Sequence, residues 1–199
     1  MKIDKYQNIL DIVNAELAES IPTIDHTLRV YKNGLLIAQN EEDVDYEVLQ
    51  PALLLHDIAR VKASQQKVNH ALLGAELAEE ILSKLNYHQD KIVEIKKCII
   101  SHANSTAVEP ESIEAKIIFD ADKLDNIGVV GIAKSFMLAG RYKQRLIYPN
   151  PEGEHTPLLE YEQNLKKIPG KMYTKQGKEL GYERLREMNE FFEKLKTQL

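Results

Sequence analysis

Apolar positions along the chain recur at spacings of three and four, the period of a helix buried along one face. Ile9, Ile12, Val13 and Leu17 predict a first helix over about residues 4–19, ended by Pro22. Asp25 then fits as the N-cap of a second helix, with Leu28, Leu35 and Leu36 inward. The acidic stretch Glu41 to Asp45 reads as a turn. A third helix is expected from about Val44 to Arg60, and its run Pro51-Ala-Leu-Leu-Leu-His-Asp-Ile-Ala has so little polar face that it should be central and buried. Asn69 can cap a fourth helix reaching Leu85. A fifth runs from about Gln89 to Ser101 with Ile92, Ile95, Ile99 and Ile100 inward, a sixth covers about Ser112 to Asp125, and a seventh runs from Ile127 to about Ala139. Gly140, Pro149, Pro151 and Gly153 mark residues 140–156 as a long loop, and such loops tend to border functional sites. Two more helices follow, over about 157–168 and 174–197. No segment alternates as a strand would, and there is no internal repeat. The expected fold is all-α, in one domain with a core at about 22–140 and a C-terminal helical extension from about 141 to 199.

With 43% hydrophobic and 29% charged residues among 199, the chain can build one real core. A net charge of −5 without any basic stripe speaks against binding a long nucleic acid, where neutralised phosphates supply most of the affinity. It leaves a small phosphorylated substrate open, because a single metal ion can provide the positive charge locally. Cys98 is the one cysteine, so no intrachain disulfide can form, and a reducing cytoplasm is the expected setting. Met1 to Asn8 lacks the apolar run of a signal peptide, and no stretch approaches the ~18–20 apolar residues that span a bilayer.

Chemistry enters with His56 and Asp57, which sit in the most apolar segment. An unpaired carboxylate there costs several kcal/mol unless it is ion-paired or binds a metal. The plain alternative is a solvent-facing pair at a helix end, with Asp57 answering Arg60. Asp120-Ala-Asp-Lys-Leu-Asp125 puts three carboxylates directly after a buried run. In a helix Asp122 and Asp125 share a face and Asp120 turns away, although a solvated surface with Lys123 as counter-ion would look the same. His26, His70 and His102 each read singly as surface or satisfied core histidines, and His88 and His155 as surface residues. Taken together, a His, a His-Asp about 30 residues later and an Asp about 65 residues beyond form a four-ligand set on separate helices. Two imidazoles and two carboxylates suit Mn²⁺, Fe²⁺, Co²⁺, Ni²⁺ or Mg²⁺.

The order His26…His56-Asp57…Asp122, with "HTLRV", "ALLLHDIAR", "HALLGAELAEEIL", "IIFDADKLDNIGVVGIAK" and the tail "YTKQGKELGYERLREMNEFFEKL", resembles the HD superfamily of metal-dependent phosphohydrolases over about residues 22–198. The resemblance implies a helical HD domain and a metal held by His26, His56, Asp57 and Asp122. It departs where many relatives carry a Phe and a Lys and this chain has Tyr161 and Asn164. Small members of the group include nucleoside triphosphate pyrophosphohydrolases, so that activity is expected, with Mn²⁺ as the foremost metal and a nucleotide phosphomonoesterase or phosphodiesterase as the alternative. Asp57 would ligate with one oxygen and take a water proton with the other. Lys123 would hold a phosphate oxygen or protonate the leaving group. His70 and His102 would hold a second metal or contact phosphate, with one firmly bound metal favoured. Arg29, Arg141, Lys143 and Arg145 are candidate phosphate contacts. A di-iron oxygenase and a non-catalytic binding module are the rivals from other classes, and a homodimer is left open.

Overall fold

The computed structural model describes residues 6–145 and 155–198. Ten α-helices cover most of them: α1 Gln7–Glu16, α2 Ile21–Ala38, α3 Tyr46–Leu55, α4 Arg60–Gln66, α5 His70–Lys84, α6 Gln89–Ser101, α7 Ile113–Leu124, α8 Gly128–Arg141, α9 Pro157–Gln163 and α10 Lys175–Lys196. Among the described residues there is no strand, so the all-α expectation holds. None of these helices is long and apolar enough to cross a membrane.

The chain divides into two compact units between Asp122 and Lys123, within the last turn of α7. In the first unit α3 is central, packed by α1, α2 and α6, while α5 lies on α6 and α4 on α5. Every residue of α3 from Pro51 to Leu55 is buried, as its composition demanded. At Gly34 of α2 a Cβ would sit 2.6 Å from both methyl carbons of Leu53, so glycine is what lets these two helices approach. That close approach also sets the rotation of α2. Val30, Tyr31, Ile37 and Ala38 face inward, whereas Leu36, expected inside, is 41% exposed.

In the second unit α10 and α9 pack on α8. Tyr161 stacks on Phe192 with ring centroids 4.2 Å apart and donates to Asn189 Oδ1 at 2.8 Å. Lys134 Nζ lies 2.8 Å from Asp125 Oδ2 and also donates to Asn126 Oδ1 at 2.9 Å. Asp125 is thereby a buried structural ion pair just beyond α7. The sixth helix, expected to reach Asp125, is α7 and stops one residue earlier at Leu124.

Three further expectations change. Pro22 does not end a helix; it lies in the first turn of α2, where its missing N–H costs nothing. The third helix was expected to run to Arg60 but stops at Leu55, after an Asp45 N-cap. His56 Nδ1 sits 2.9 Å from the Leu53 carbonyl, the acceptor that Asp57 N–H would need for the helix to continue. The expected loop at 140–156 starts later, since α8 runs through Arg141; Pro149, Pro151 and Gly153 lie outside the described residues.

Candidate metal centre

Helix ends of the first unit deliver six metal-ligating side chains to one place. His26 comes from the early turns of α2. His56 and Asp57 lie in the turn between α3 and α4, and His70 opens α5 behind an Asn69 cap that accepts from Ala71 N and Leu72 N. His102 follows α6, and Asp122 lies near the end of α7. His56, Asp57, His70 and His102 all lie where a helix begins or stops, and Asp122 lies in the last turn of α7.

His26, His56 and Asp122 offer ligand atoms all within 4.8 Å of one another, and so do Asp57, His70 and His102. Asp57 joins the two triads. Its Oδ2 lies 3.6 Å from His26 Nε2 and 3.9 Å from His56 Nε2, and its Oδ1 lies 3.4 Å from His70 Nε2 and 3.7 Å from His102 Nε2. His26 Nε2 is also 3.3 Å from Asp122 Oδ1.

The imidazoles are held from behind. His56 Nδ1 is 2.9 Å from the Leu53 carbonyl and His102 Nδ1 2.5 Å from the Ile99 carbonyl. A carbonyl only accepts, so both rings carry their proton on Nδ1 and turn a bare Nε2 lone pair into the centre, the tautomer a metal needs. Burial first of all pushes His56 down to about 4, against the pull of the Asp57 charge. His70 is pushed to about 4 in the same way, with the Arg60 guanidinium adding to the effect. Neutral imidazoles at physiological pH are again the ligand form. Burial works to raise the Asp57 carboxyl, but His102, His56 and Arg60 outweigh it and hold the group well below the usual carboxylate range.

The site fits a divalent cation on observations of its own. Asp57 is 3% exposed, and its Oδ1 has no hydrogen-bond partner among the described residues. A buried, ionised oxygen left that way is expensive, and a cation is the partner it lacks. His56 Nε2 and His26 Nε2 face each other at 3.3 Å, an arrangement that a shared positive ion would relieve. The mixed imidazole and carboxylate donors match transition metals and Mg²⁺ rather than a thiolate site.

The other candidates lie as follows. Lys123 follows Asp122 on the last turn of α7 and is half-buried. Arg29 is half-buried one turn beyond His26. Arg141, Lys143 and Arg145 are exposed in the second unit, at the end of α8 and just after it. Asn164 is exposed and donates to Glu160 Oε2 at 2.8 Å, while Tyr161 belongs to the core of its unit. His88 and His155 are exposed, as expected. Arg60 is the residue that reading the sequence placed only as an ion-pair partner. Its Nη1 is 3.0 Å from His70 Nε2 and its Nε 3.6 Å from Asp57 Oδ2. The signal available was its position four residues after His56, one helical turn, but contact with His70 depends on how α5 returns.

The HD domain family model matches residues 23–127. The YpgQ protein of Bacillus subtilis is 29% identical over 181 residues, covering 87% of this chain and 82% of YpgQ. A crystal structure of YpgQ in complex with ADP has the same fold, with a TM-score of 0.80 at 24% identity over 99% of this chain and 96% of that one. An HD superfamily hydrolase from an uncultured Thermotogales bacterium gives a TM-score of 0.73 at 27% identity, covering 100% of this chain and 99% of that one. Cyanamide hydratase DDI2 of Saccharomyces cerevisiae is 29% identical over 113 residues, 54% of this chain and 50% of that protein. This chain belongs to the HD domain family and is a metal-dependent phosphohydrolase.

Proposed function

We propose that this HD-domain phosphohydrolase acts on nucleotides, cutting a nucleoside triphosphate between the α and β phosphates. The observation that carries the reading is the closed His/Asp cluster around the partnerless Oδ1 of Asp57. The ADP complex of YpgQ supports a nucleotide as the ligand. His26, His56, Asp57 and Asp122 would hold one cation firmly, with Mn²⁺ the expected ion, and His70 and His102 would hold a second ion together with Asp57 or contact phosphate. A bound cation would polarise a phosphoryl oxygen and acidify a water molecule.

The chain's own residues do the rest by positioning. The carbonyls of Leu53 and Ile99 fix the His56 and His102 rings so that their lone pairs do not turn away. Asp57, whose two oxygens face four imidazoles and the Arg60 guanidinium, would ligate with one oxygen and take the proton of the attacking water with the other. In the reaction the water oxygen bonds to the α phosphorus, the bond from that phosphorus to the bridging oxygen breaks, and monophosphate and pyrophosphate leave.

Hydrolysis in ¹⁸O-labelled water, followed by mass spectrometry of the products, tests this. Monophosphate and pyrophosphate should form in equal amounts, with label in the monophosphate. Orthophosphate and diphosphate as the first products would instead establish a phosphomonoesterase on the same centre.

A further inference from the structure

We infer that Arg60 is a phosphate-binding residue of this centre, its guanidinium set against ligand atoms of the Asp57–His70–His102 triad. It follows from the geometry of one guanidinium. Arg60 opens α4 directly after the His56–Asp57 turn, and its side chain is 52% exposed while Asp57 beside it is only 4% exposed. Nη1 reaches His70 Nε2 at 3.0 Å, and Nε lies 3.6 Å from Asp57 Oδ2.

An imidazole nitrogen has a single lone pair, so His70 Nε2 can accept from Arg60 or bind a cation, but not both. A cation in the Asp57–His70–His102 triad would also sit against a fixed positive charge. Loading the triad therefore frees Arg60 from His70, and the long, half-exposed side chain turns its five-donor fork outward. That fork matches two oxygens of a phosphate, which a lysine head cannot do in the same bidentate way. A phosphate anion bridging cation and guanidinium removes the repulsion between them, so cation and phosphate should reinforce each other at this triad. Arg60 then works against the metal when it is alone and for the metal when phosphate is present.

This inference rests on the metal-centred reading above but not on which phosphate bond is cut, so the probes are Mn²⁺, ADP and inorganic pyrophosphate rather than turnover. Mn²⁺ titrations followed by electron paramagnetic resonance, with and without ADP or pyrophosphate, compare the wild-type protein with Arg60→Gln and Arg60→Lys. In the wild type either anion should tighten Mn²⁺ binding about tenfold or more. In Arg60→Gln, Mn²⁺ alone should bind as tightly as in the wild type or more tightly, and the anion effect should be lost. Arg60→Lys should fall between them. For whichever nucleotide is turned over, KM in Arg60→Gln should rise about tenfold or more while kcat changes less. Weaker Mn²⁺ binding by Arg60→Gln in the absence of anion would make Arg60 a mere support for His70 and overturn the inference, as would an unchanged anion effect. A wild-type protein that binds Mn²⁺ and ADP cooperatively but never splits a triphosphate would leave Arg60 standing and sink the proposed α–β cleavage.

Discussion

Acid should weaken the metal-free protein well before its carboxylates titrate. His56 and His70 take up a proton near 6.5 in an unfolded chain but only at about 4 in the fold, principally because burial disfavours the imidazolium. Both groups stay neutral in either state at neutral pH, so their effect there is small. As pH falls from about 6.5 towards about 4, the unfolded chain binds protons that the folded chain refuses, and stability drops throughout that window. Each group costs about 2 kcal/mol at pH 5, so the pair removes about 4 kcal/mol between pH 7 and pH 5. That is a large share of the ~5–15 kcal/mol that holds a typical domain together. The depressed carboxyl of Asp57 adds little to this at pH 5, and at lower pH it acts in the same direction, since stability is lost as pH falls through its unfolded value of 3.8. Urea unfolding followed by circular dichroism, in excess chelator at pH 7, 6 and 5, checks the sign and size. With a slope of about 2 kcal/mol per molar urea, the midpoint should fall by about 2 M. The double variant His56→Gln, His70→Gln should show a much flatter profile. A midpoint at pH 5 equal to or above that at pH 7 would show that these two imidazoles are not held neutral by burial.

Chelation with EDTA should abolish activity, and Mn²⁺, Co²⁺ or Ni²⁺ should restore it better than Ca²⁺ because half the donors are imidazoles; turnover in verified metal-free protein would refute this. Asp57→Ala should cost more than any single histidine, since Asp57 touches both triads: metal affinity should drop by more than about 100-fold with helical circular dichroism retained, and near-normal metal content in the purified variant would contradict its central place. His70→Ala and His102→Ala should each lower turnover strongly while His26, His56 and Asp122 keep part of the metal, so complete metal loss in both variants argues against two separable triads. His88→Ala, an exposed residue at the start of α6, should leave metal content and turnover unchanged.

What the sequence decided by itself is local in its physics. The period of apolar residues placed α5 and α6 almost to the residue, because Asn69 caps the one and the isoleucines of the other repeat at helical spacing. The burial of α3 was legible because a helix apolar on every side has no face to give to water. The cost of an unpaired Asp57 within that run marked it for ion pairing or a metal before any fold was known. Tertiary structure decided the rest. Whether a polar residue one turn from a ligand faces the centre depends on where its helix stops, and helix ends are set by side chains competing for single carbonyls, as His56 does for Leu53. Asp125 was therefore drawn into a buried pair with Lys134, while Asp122, three residues earlier, reached the histidines. The spacing of His26, Asp57, His70 and His102 carries no information about which lone pair faces which. Only the way α2, α5 and α6 meet the α3–α4 turn made Asp57 the common neighbour of four imidazoles and put the Arg60 guanidinium on His70.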